Sequence, residues 1–185
     1  TVDEKELKKA TFLKTAPQIM GVFYRPSPEI EKIDPDTQLS LVLDGIQDPG
    51  NLGAIVRIAD WFGIEHIICS HDTADIFNPK TVQATMGAIA RVNVHYVDLK
   101  DLLTKNSSLP VFGALLEGEN NYEAKLPKNG FIVMGNEGKG ISHDIQKLVT
   151  HKLFIPNYPA NAQTSESLNV ALAAAFVCSE FRRRV

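Results

Sequence analysis

Three segments of this chain share one plan, in which a short apolar run leads into a polar loop and then into a helical pattern. They are Leu43–Gly53, Val133–Ser142 and Ile155–Ala175. A loop that enters a helix presents unpaired backbone N–H groups at the positive end of the helix dipole, and this arrangement suits a polar ligand. Three such loops in one chain therefore predict a single site to which all of them contribute.

Apolar strands alternate with helical patterns along most of the chain. The runs Val111–Leu115 and Phe131–Met134 are largely apolar throughout, which is typical of strands buried on both faces. The spacing from Ala54 to Phe62 places apolar side chains on one helical face, and Gly63 ends that helix. This alternation predicts an α/β fold with a mostly parallel sheet and helices on both faces.

The predicted elements follow a charged, helix-like start at residues 3–14. Strands are expected at 19–24, 39–43, 66–70, 91–97, 111–115, 131–134 and 152–155. Helices are expected at 51–62, 78–87, 98–105, 141–150 and 167–184.

Length and composition indicate one domain with a sizeable core, since 44% of the 185 residues are hydrophobic. No apolar run approaches the roughly 20 residues that span a bilayer, so no membrane association is predicted. Cys69 and Cys178 lie in apolar surroundings and are predicted to be buried thiols of a reducing, cytoplasmic compartment, with a disulfide as the alternative. The five histidines are scattered, so no metal site is predicted.

The net charge of −3 does not mark the chain as an obvious binder of polyanions. Basic residues cluster only near the two ends, and these clusters are either solvated helix faces or contacts for an anionic partner. They comprise Lys5, Lys8, Lys9 and Lys14, and Arg182, Arg183 and Arg184.

The first and second loops contain polar residues with more than one interpretation. Asn51 is a natural helix cap. Arg57 would ordinarily be a solvated surface residue, but the nearby glycine-rich loop and Trp61, one turn later and available for stacking, favour a phosphate contact. Glu137 lies in a G-x-x-G-x-G run at 135–140 that is neither a dinucleotide fingerprint nor a P-loop. Glu137 is either a carboxylate at a helix dipole or a group that orients an arginine or a substrate hydroxyl.

The third loop offers a hydroxyl and an amide. Ser167 is predicted to cap the last helix, and Asn169 is predicted to lie one turn inside it, where its amide needs a partner. The alanines of that helix, at 171 and 173–175, permit close approach either of the core or of another subunit.

In order and spacing, the three segments resemble the three motifs of the SpoU family of RNA 2′-O-ribose methyltransferases, part of the SPOUT superfamily. The similarity covers roughly residues 17–182. The resemblance implies a parallel α/β sheet with a C-terminal trefoil knot, a bound S-adenosylmethionine and a homodimer with the site near its interface. It also implies RNA as the partner, either ribosomal or transfer RNA.

The resemblance also assigns residues to roles. The family's catalytic positions fall on Asn51, Arg57, Glu137, Ser167 and Asn169. Its cofactor positions fall on Leu115, Gly135, Asn136, Ile155 and Leu168. One departure is the link at 157–166, which is longer than is usual in the family and lacks its glycine, so the cofactor loop is expected to have a different shape there.

The resemblance bears on domain organisation as well. Many family members carry a separate N-terminal RNA-binding domain. Residues 1–16 are therefore expected to be a lead-in from such a domain, and residues 17–185 are expected to be the catalytic domain.

Methylation of a ribose 2′-hydroxyl requires that oxygen to lose its proton as the methyl group arrives. The resemblance gives this task to Arg57, whose guanidinium is too basic to act alone, so we expect Arg57 to grip a phosphate and act with it. Three alternatives differ in class: a catalytically inactive RNA-binding module, a methyltransferase acting on a base nitrogen, and an unrelated dehydrogenase.

Overall fold

A computed structural model describes residues 2–11, 15, 17–25, 27–159 and 165–183. Six strands form a sheet in the order β3-β2-β1-β5-β4-β6, and each neighbouring pair is parallel. The strands are β1 (Leu39–Asp44), β2 (His66–Cys69), β3 (Asn93–Tyr96), β4 (Val111–Asn120), β5 (Gly130–Gly135) and β6 (His151–Phe154). The predicted mostly parallel sheet is confirmed.

Six α-helices and two short 3-10 helices accompany the sheet. The α-helices are α1 (Glu4–Ala10), α2 (Pro49–Trp61), α3 (Pro79–Thr85), α4 (Leu99–Lys105), α5 (His143–Gln146) and α6 (Val170–Arg183). The 3-10 helices are Ile30–Lys32 and Ala88–Ala90.

The central strands send alternate side chains into two separate cores. Leu41 and Leu43 of β1 pack in a cluster with α2 and α6, whereas Val42 between them packs in a second cluster with α4 and α5. All three side chains are completely buried. Side chains of a strand point alternately to opposite faces, so a strand covered on both faces must be apolar throughout. The prediction of helices on both faces is confirmed.

The strand order reverses between β1 and β5. From β1 the chain proceeds through β2 to β3 on one side, while β5, β4 and β6 occupy the other side. Asp44 at the end of β1 is aligned with Gly135 at the end of β5. In open parallel sheets the crevice at the carboxyl ends of the strands where the order reverses is the usual ligand site. The loops that follow β1 and β5 meet there.

The strand predicted at 19–24 is wrong. This segment is irregular, and the side chains of Val22, Phe23 and Tyr24 are almost fully exposed. An isolated β-strand has no partner for its backbone groups, and the described residues supply none to this segment, although its composition favours a strand.

Other boundaries also differ from prediction. The helix predicted at 141–150 is only the four-residue α5, because Thr150 turns away to bond with the backbone of Val111. Strand β4 continues to Asn120 through a bulge, in which Gly118 adopts a φ of 146°. Helix α6 begins at Val170 rather than at Ser167.

Both cysteines are buried free thiols, as predicted. Burial raises the pKa of the Cys178 thiol to about 12 and raises the pKa of the Cys69 thiol beyond the usual range. Within the described ranges, no helix combines the length and the apolar character needed to cross a membrane.

Helices α2 and α3 approach each other very closely at Gly53. A Cβ atom added to Gly53 would lie 2.5 Å from the Cβ of Ala84 and 2.8 Å from the carbonyl oxygen of Thr81. Only glycine allows this approach, and the approach sets the position of α2 beside the site.

We expect Gly53→Ala to lower the free energy of unfolding by about 1–3 kcal/mol, because the added methyl group forces the two helices apart. The sign is diagnostic, since alanine in a helix interior normally stabilises by about 1 kcal/mol relative to glycine. Urea denaturation measures the change. Gln83→Ala, an exposed substitution on α3, is the control and should stay within about 0.5 kcal/mol of the parent. A more stable Gly53→Ala protein would contradict the packing argument.

Candidate active site

Helix α2 is capped by Asp48 rather than by Asn51. The Asp48 Oδ1 atom accepts a hydrogen bond from the Asn51 N–H at 2.7 Å, and Pro49 occupies the first helical turn. The predicted capping role of Asn51 is therefore wrong. Because Asp48 satisfies the helix terminus, the side chain of Asn51 is available for other contacts.

Asn51 joins the second and third loops to the first. Its Nδ2 group donates to Glu137 Oε1 at 2.9 Å, and its Oδ1 atom accepts from Asn169 Nδ2 at 3.0 Å. Asn51, Glu137 and Asn169, of which the first and last are 118 positions apart along the chain, thus form one hydrogen-bonded row. The predicted convergence of the three loops is confirmed for Asn51, Glu137 and Asn169.

Asn169 caps α6, whereas it was predicted to lie inside the helix. Its Oδ1 atom accepts from the N–H groups of Ala171 and Leu172 at 2.9 and 3.4 Å. The helix starts one residue after Asn169, so Ser167 lies before the cap. An asparagine oxygen is a strong helix cap, and this role places the Nδ2 group of Asn169 toward Asn51.

The orientation of both amides follows from the two ends of the row. The carboxylate of Glu137 can only accept, and the backbone N–H groups of α6 can only donate. Asn169 must therefore present its oxygen to the helix and its nitrogen to Asn51, and Asn51 must present its nitrogen to Glu137. Such a row is polarised in one direction, which strengthens each bond in it.

Glu137 also faces the first turn of α2. Its two carboxylate oxygens accept from the backbone N–H groups of Gln47 and Asp48 at 3.5 and 3.4 Å. Together with the Asn51 amide, these long contacts surround the carboxylate with donors at the positive end of a helix. The structure supports the interpretation of Glu137 as a carboxylate at a helix dipole. The side chain that it contacts is the Asn51 amide, so the orientation of an arginine or a substrate hydroxyl by Glu137 stays a prediction.

Arg57 lies apart from this row. It is six residues beyond Asn51, which corresponds to about 9 Å along the helix axis and about 120° around it. Its side chain is exposed, and within the described ranges it forms no hydrogen bond or ion pair. Trp61 is also exposed, and the predicted stacking of Arg57 on Trp61 is absent from the contacts of the described residues.

The remaining arginines in the described ranges have partners. Arg91 forms two hydrogen bonds with Asp60 at 2.8 and 2.7 Å. Arg182 donates to the carbonyl oxygens of Phe62 and Gly63 at 2.8 and 3.1 Å, and so ties the end of α6 to the end of α2. The described members of the C-terminal basic cluster are therefore engaged within the chain, since Arg183 pairs with Glu180. Arg184 lies outside the described residues.

The predicted cofactor residues Leu115, Gly135 and Ile155 lie on β4, on β5 and directly after β6. Gly113 of β4 is paired both with Val133 of β5 and with Lys152 of β6. Leu115 and Gly135 are each two residues beyond this level, and Ile155 is three residues beyond it. Gly135 ends β5 and Ile155 directly follows β6, so both lie at the carboxyl edge of the sheet, whereas Leu115 lies at the bulge of β4.

Gly135 is packed directly beneath the second loop. A Cβ atom on Gly135 would fall within 2.3 Å of the Gly140 and Ile141 backbones. Gly140 itself has a φ of 70° and open space where a side chain would lie. The loop thus folds back over its own strand, and Gly140 leaves open space on its outer surface.

Both halves of the Asn136 side-chain amide form hydrogen bonds within the chain. Its Nδ2 group donates to the Gly45 carbonyl oxygen at 2.6 Å, and its Oδ1 atom accepts from the N–H groups of Gly138 and Lys139 at 2.9 and 3.0 Å. Its backbone pairs with Gly140. Asn136 therefore shapes the loop, and direct contact with a cofactor stays a prediction.

Ser167 and Leu168 are exposed beside the row, and no contact of the described residues tests their assigned roles. The unusual link at 157–166 is described only at 157–159 and 165–166, so its expected difference in shape falls mainly outside the described residues.

Two further groups at this edge escaped the sequence analysis. Asp44 accepts from the Ser142 N–H at 2.6 Å and thereby closes the second loop against β1. Ser70, directly after β2, accepts from the Gly45 N–H at 2.8 Å. Their position immediately after buried strands was the available signal, because the carboxyl ends of parallel strands share one edge.

Among the contacts of the described residues, no histidine forms a hydrogen bond with Asn51, Glu137 or Asn169. His66 and His95 form a buried pair on β2 and β3, with their Nδ1 and Nε2 atoms 3.1 Å apart, and burial lowers the pKa of each. Among the residues that the structure describes, His, Cys, Asp and Glu side chains form no group suited to holding a metal ion.

A family model described as the SpoU rRNA Methylase family matches residues 38–179. This match covers most of the chain, including all three loops. The chain belongs to the SpoU family.

Individual relatives agree with this assignment. The 23S rRNA (guanosine(2553)-2'-O)-methyltransferase RlmP of Bacillus subtilis is 30% identical over 184 residues, which cover 98% of this chain and 71% of the relative. A solved TrmH-family structure from Porphyromonas gingivalis is 45% identical, with a TM-score of 0.74, and covers 86% of this SpoU chain. An AdoMet-bound rRNA methyltransferase from Sinorhizobium meliloti is 30% identical, with a TM-score of 0.78 and 87% coverage. The SpoU chain spans only 62% of each of these two solved chains.

We expect Gly135→Ala to disrupt the second loop, because its methyl group would overlap the Gly140–Ile141 backbone. The free energy of unfolding should fall by about 1–3 kcal/mol, and the amides of Asn136 and Gly140 should exchange faster with solvent. Gly138→Ala is the matched control from the same loop, since its Cβ would meet only Asn136 Oδ1 at 3.7 Å. Equal effects of the two substitutions on amide exchange would contradict the assigned packing.

Proposed function

We propose that this SpoU chain is an S-adenosylmethionine-dependent RNA methyltransferase that methylates a ribose 2′-oxygen in ribosomal or transfer RNA. The observation that carries the proposal is the row Glu137–Asn51–Asn169, in which the three family motifs meet at the switch point of the sheet. The 2′-O-methyltransferase activity named for the Bacillus subtilis relative supports this choice of reaction.

The carboxyl edge of β4, β5 and β6 suits the proposed cofactor. It combines the aliphatic side chains of Leu115 and Ile155 with the glycine surface at Gly138 and Gly140, where little or nothing fills the space a side chain would take. An adenosine ring needs apolar contact with its faces and backbone groups at its edge. We assign Leu168 to the same pocket. When bound, S-adenosylmethionine supplies a methyl group on a positively charged sulfur.

Arg57 is the group we assign to the substrate. It is the arginine without a partner among those in the described ranges, so its guanidinium is free to bind a phosphate with two parallel hydrogen bonds. A guanidinium does not lose its proton near neutral pH. Arg57 therefore holds the phosphate of the target nucleotide beside the 2′-hydroxyl, and the two groups act together as that hydroxyl loses its proton.

The row holds the ribose in place. The carboxylate of Glu137 already faces three N–H groups, so its lone pairs are directed at the protein and it serves better as an anchor than as a proton acceptor. Asn51 and Asn169 then present a fixed polar surface, and the exposed hydroxyl of Ser167 completes it. Preorganised polar groups of this kind align the attacking oxygen with the methyl carbon.

We expect Arg57→Ala to reduce methyl transfer to RNA about 100-fold or more, because the phosphate partner of the reacting hydroxyl is lost. Binding of S-adenosylmethionine, measured by titration calorimetry, should change little. Arg91→Ala, which removes another exposed arginine, is the control and should retain turnover. Near-normal turnover of Arg57→Ala would remove Arg57 from the mechanism.

The alternatives give different products in the same assay. After transfer of a labelled methyl group and nuclease digestion, mass spectrometry of the nucleosides should find the label on ribose. A label on a base would favour the base-nitrogen methyltransferase. Failure to bind either S-adenosylmethionine or S-adenosylhomocysteine would favour the inactive RNA-binding module.

We also propose that the chain acts as a homodimer. Helix α6 presents Leu172 and Phe176, which lie one turn apart and are 55% and 45% exposed, and Leu168 and Trp61 are exposed as well. Exposed apolar side chains spaced along one helix face are typical of a surface that another protein covers. A partner on this face would lie close to Asn169, in agreement with a site near the interface.

Three further assignments rest on the family. We propose the C-terminal trefoil knot, an RNA-binding domain that precedes a lead-in at 1–16, and residues 17–185 as the catalytic domain. Helix α1 has no buried residue, which fits a connecting segment. The two free buried thiols fit a cytoplasmic location.

We expect the double substitution Leu172→Glu and Phe176→Glu to convert a dimer into a monomer of 20.4 kDa, since buried glutamates would oppose each other at the interface. Light scattering during gel filtration measures the mass. Leu116→Glu changes an exposed leucine on β4 and should leave the dimer intact. A wild-type chain that is monomeric at micromolar concentration would contradict the proposal.

A further inference from the structure

Ser70 connects strand β2 to the loop after β1. Its Oγ atom accepts from the Gly45 N–H at 2.8 Å, donates to Asp72 Oδ1 at 2.5 Å and contacts Thr73 Oγ1 at 3.1 Å. A serine hydroxyl has one donor and two acceptor sites, and these contacts use its donor and at least one acceptor. The Ser70 hydroxyl donates its hydrogen to the Asp72 carboxylate, which leaves a lone pair of Ser70 to accept from the Gly45 N–H group, while the Thr73 hydroxyl donates to the Leu43 carbonyl oxygen at 3.2 Å.

Gly45 is held from both sides. Its N–H group is bonded to Ser70, and its carbonyl oxygen accepts from Asn136 Nδ2 at 2.6 Å. Its φ is 73°, and a Cβ atom there would lie 3.2 Å from Asp72 Oδ2 and 3.7 Å from the Cβ of Asn136. The backbone of Gly45 therefore lies between the turn after β2 and the loop after β5 and is hydrogen-bonded to both. A displacement of the turn would move Gly45 and, with it, the loop.

The same path continues to the residues that flank Glu137. Asn136 precedes Glu137, and the Oδ1 atom of Asn136 holds the N–H groups of Gly138 and Lys139 at 2.9 and 3.0 Å. The residues on both sides of Glu137 are thus held by hydrogen bonds, and their fixed positions direct the Glu137 carboxylate toward Asn51. Asp72 and Ser70 make no hydrogen bond to Asn51, Glu137 or Asn169 among the contacts of the described residues.

We infer that Asp72 and Ser70 are positioning residues for the active site, acting on Glu137 through Gly45 and Asn136. The inference rests on the proposed function, because it assigns these residues to alignment of the methyl-transfer site. The Asp72–Ser70 bond is short, at 2.5 Å, and an acceptor oxygen at position 72 is the end point of the path. Asp72 is exposed, so its substitution does not disturb the core.

Asp72→Ala tests the inference in two ways. The amide signals of Gly45, Gly138 and Lys139 in the NMR spectrum should shift, because the path from Asp72 to the second loop is broken. In methyl-transfer assays, kcat should fall about tenfold, as expected for a small misplacement of aligned groups. The melting temperature should stay near that of the parent.

Two variants serve as controls. Asp72→Asn keeps an oxygen that accepts from Ser70. Its amide signals should therefore stay near their positions in the parent protein, and its kcat should stay within about twofold of the parent value. His71→Ala changes the exposed neighbour in the same turn and should alter neither measurement. A simple loss of surface charge would instead affect Asp72→Asn and Asp72→Ala alike.

Each outcome decides the inference. Unchanged Gly138 and Lys139 signals in Asp72→Ala would overturn the path, and shifted signals with an unchanged kcat would overturn the positioning role. A wild-type protein that transfers no methyl group to any RNA would instead contradict the proposed function. The NMR comparison would then decide alone whether Asp72 holds the second loop.

Discussion

The site depends on the hydrogen bond by which Asp48 caps α2. Both Asp48 and Asn51 are able to cap a helix, and only one of them is needed. Because Asp48 takes this role, Asn51 keeps both halves of its amide for Glu137 and Asn169. An amide is suited to this place, since it donates to a carboxylate on one side and accepts from a second amide on the other. Neither a second carboxylate nor a hydroxyl would join the two loops with the same polarity.

The same edge of the sheet carries several acidic side chains, although RNA is the proposed partner. Asp44 is bonded to the Ser142 N–H, Asp48 to the Asn51 N–H, and Glu137 faces two further backbone N–H groups. Backbone donors at loop and helix starts offset these negative charges locally. The carboxylates therefore act as ties between loops, and Arg57 is the residue that we propose to face a phosphate. This arrangement reconciles an acidic net charge with an anionic substrate.

Much of this architecture could be predicted from the sequence, for identifiable reasons. Strands such as Phe131–Met134 are apolar at every position, so burial on both faces followed directly. The convergence of Asn51, Glu137 and Asn169 followed from the order of the motifs. The choice of cap did not, although Pro49 was a usable signal, because proline favours the first helical position and so points to the residue before it. The strand predicted at 19–24 was wrong because amino-acid composition indicates a preference for strand but does not indicate whether a partner strand is present. Asp44 and Ser70 could have been placed at this edge from their positions at the ends of buried strands, but their individual bonds depend on which strands become neighbours, and local sequence does not encode that.

Helices α2 and α6 are fastened together at both ends. Asn51 and Asn169 join their first turns, and Arg182 binds the carbonyl groups where α2 finishes. Because the two helices are hydrogen-bonded to each other at both ends, we expect α6 and α2 to move together. We expect a shift of the start of α6 to be passed on to Arg57, which lies on α2 and forms no hydrogen bond with the described part of the third loop. Binding at one part of the site would thus change the position of the other part through the two helices, without direct contact between the two.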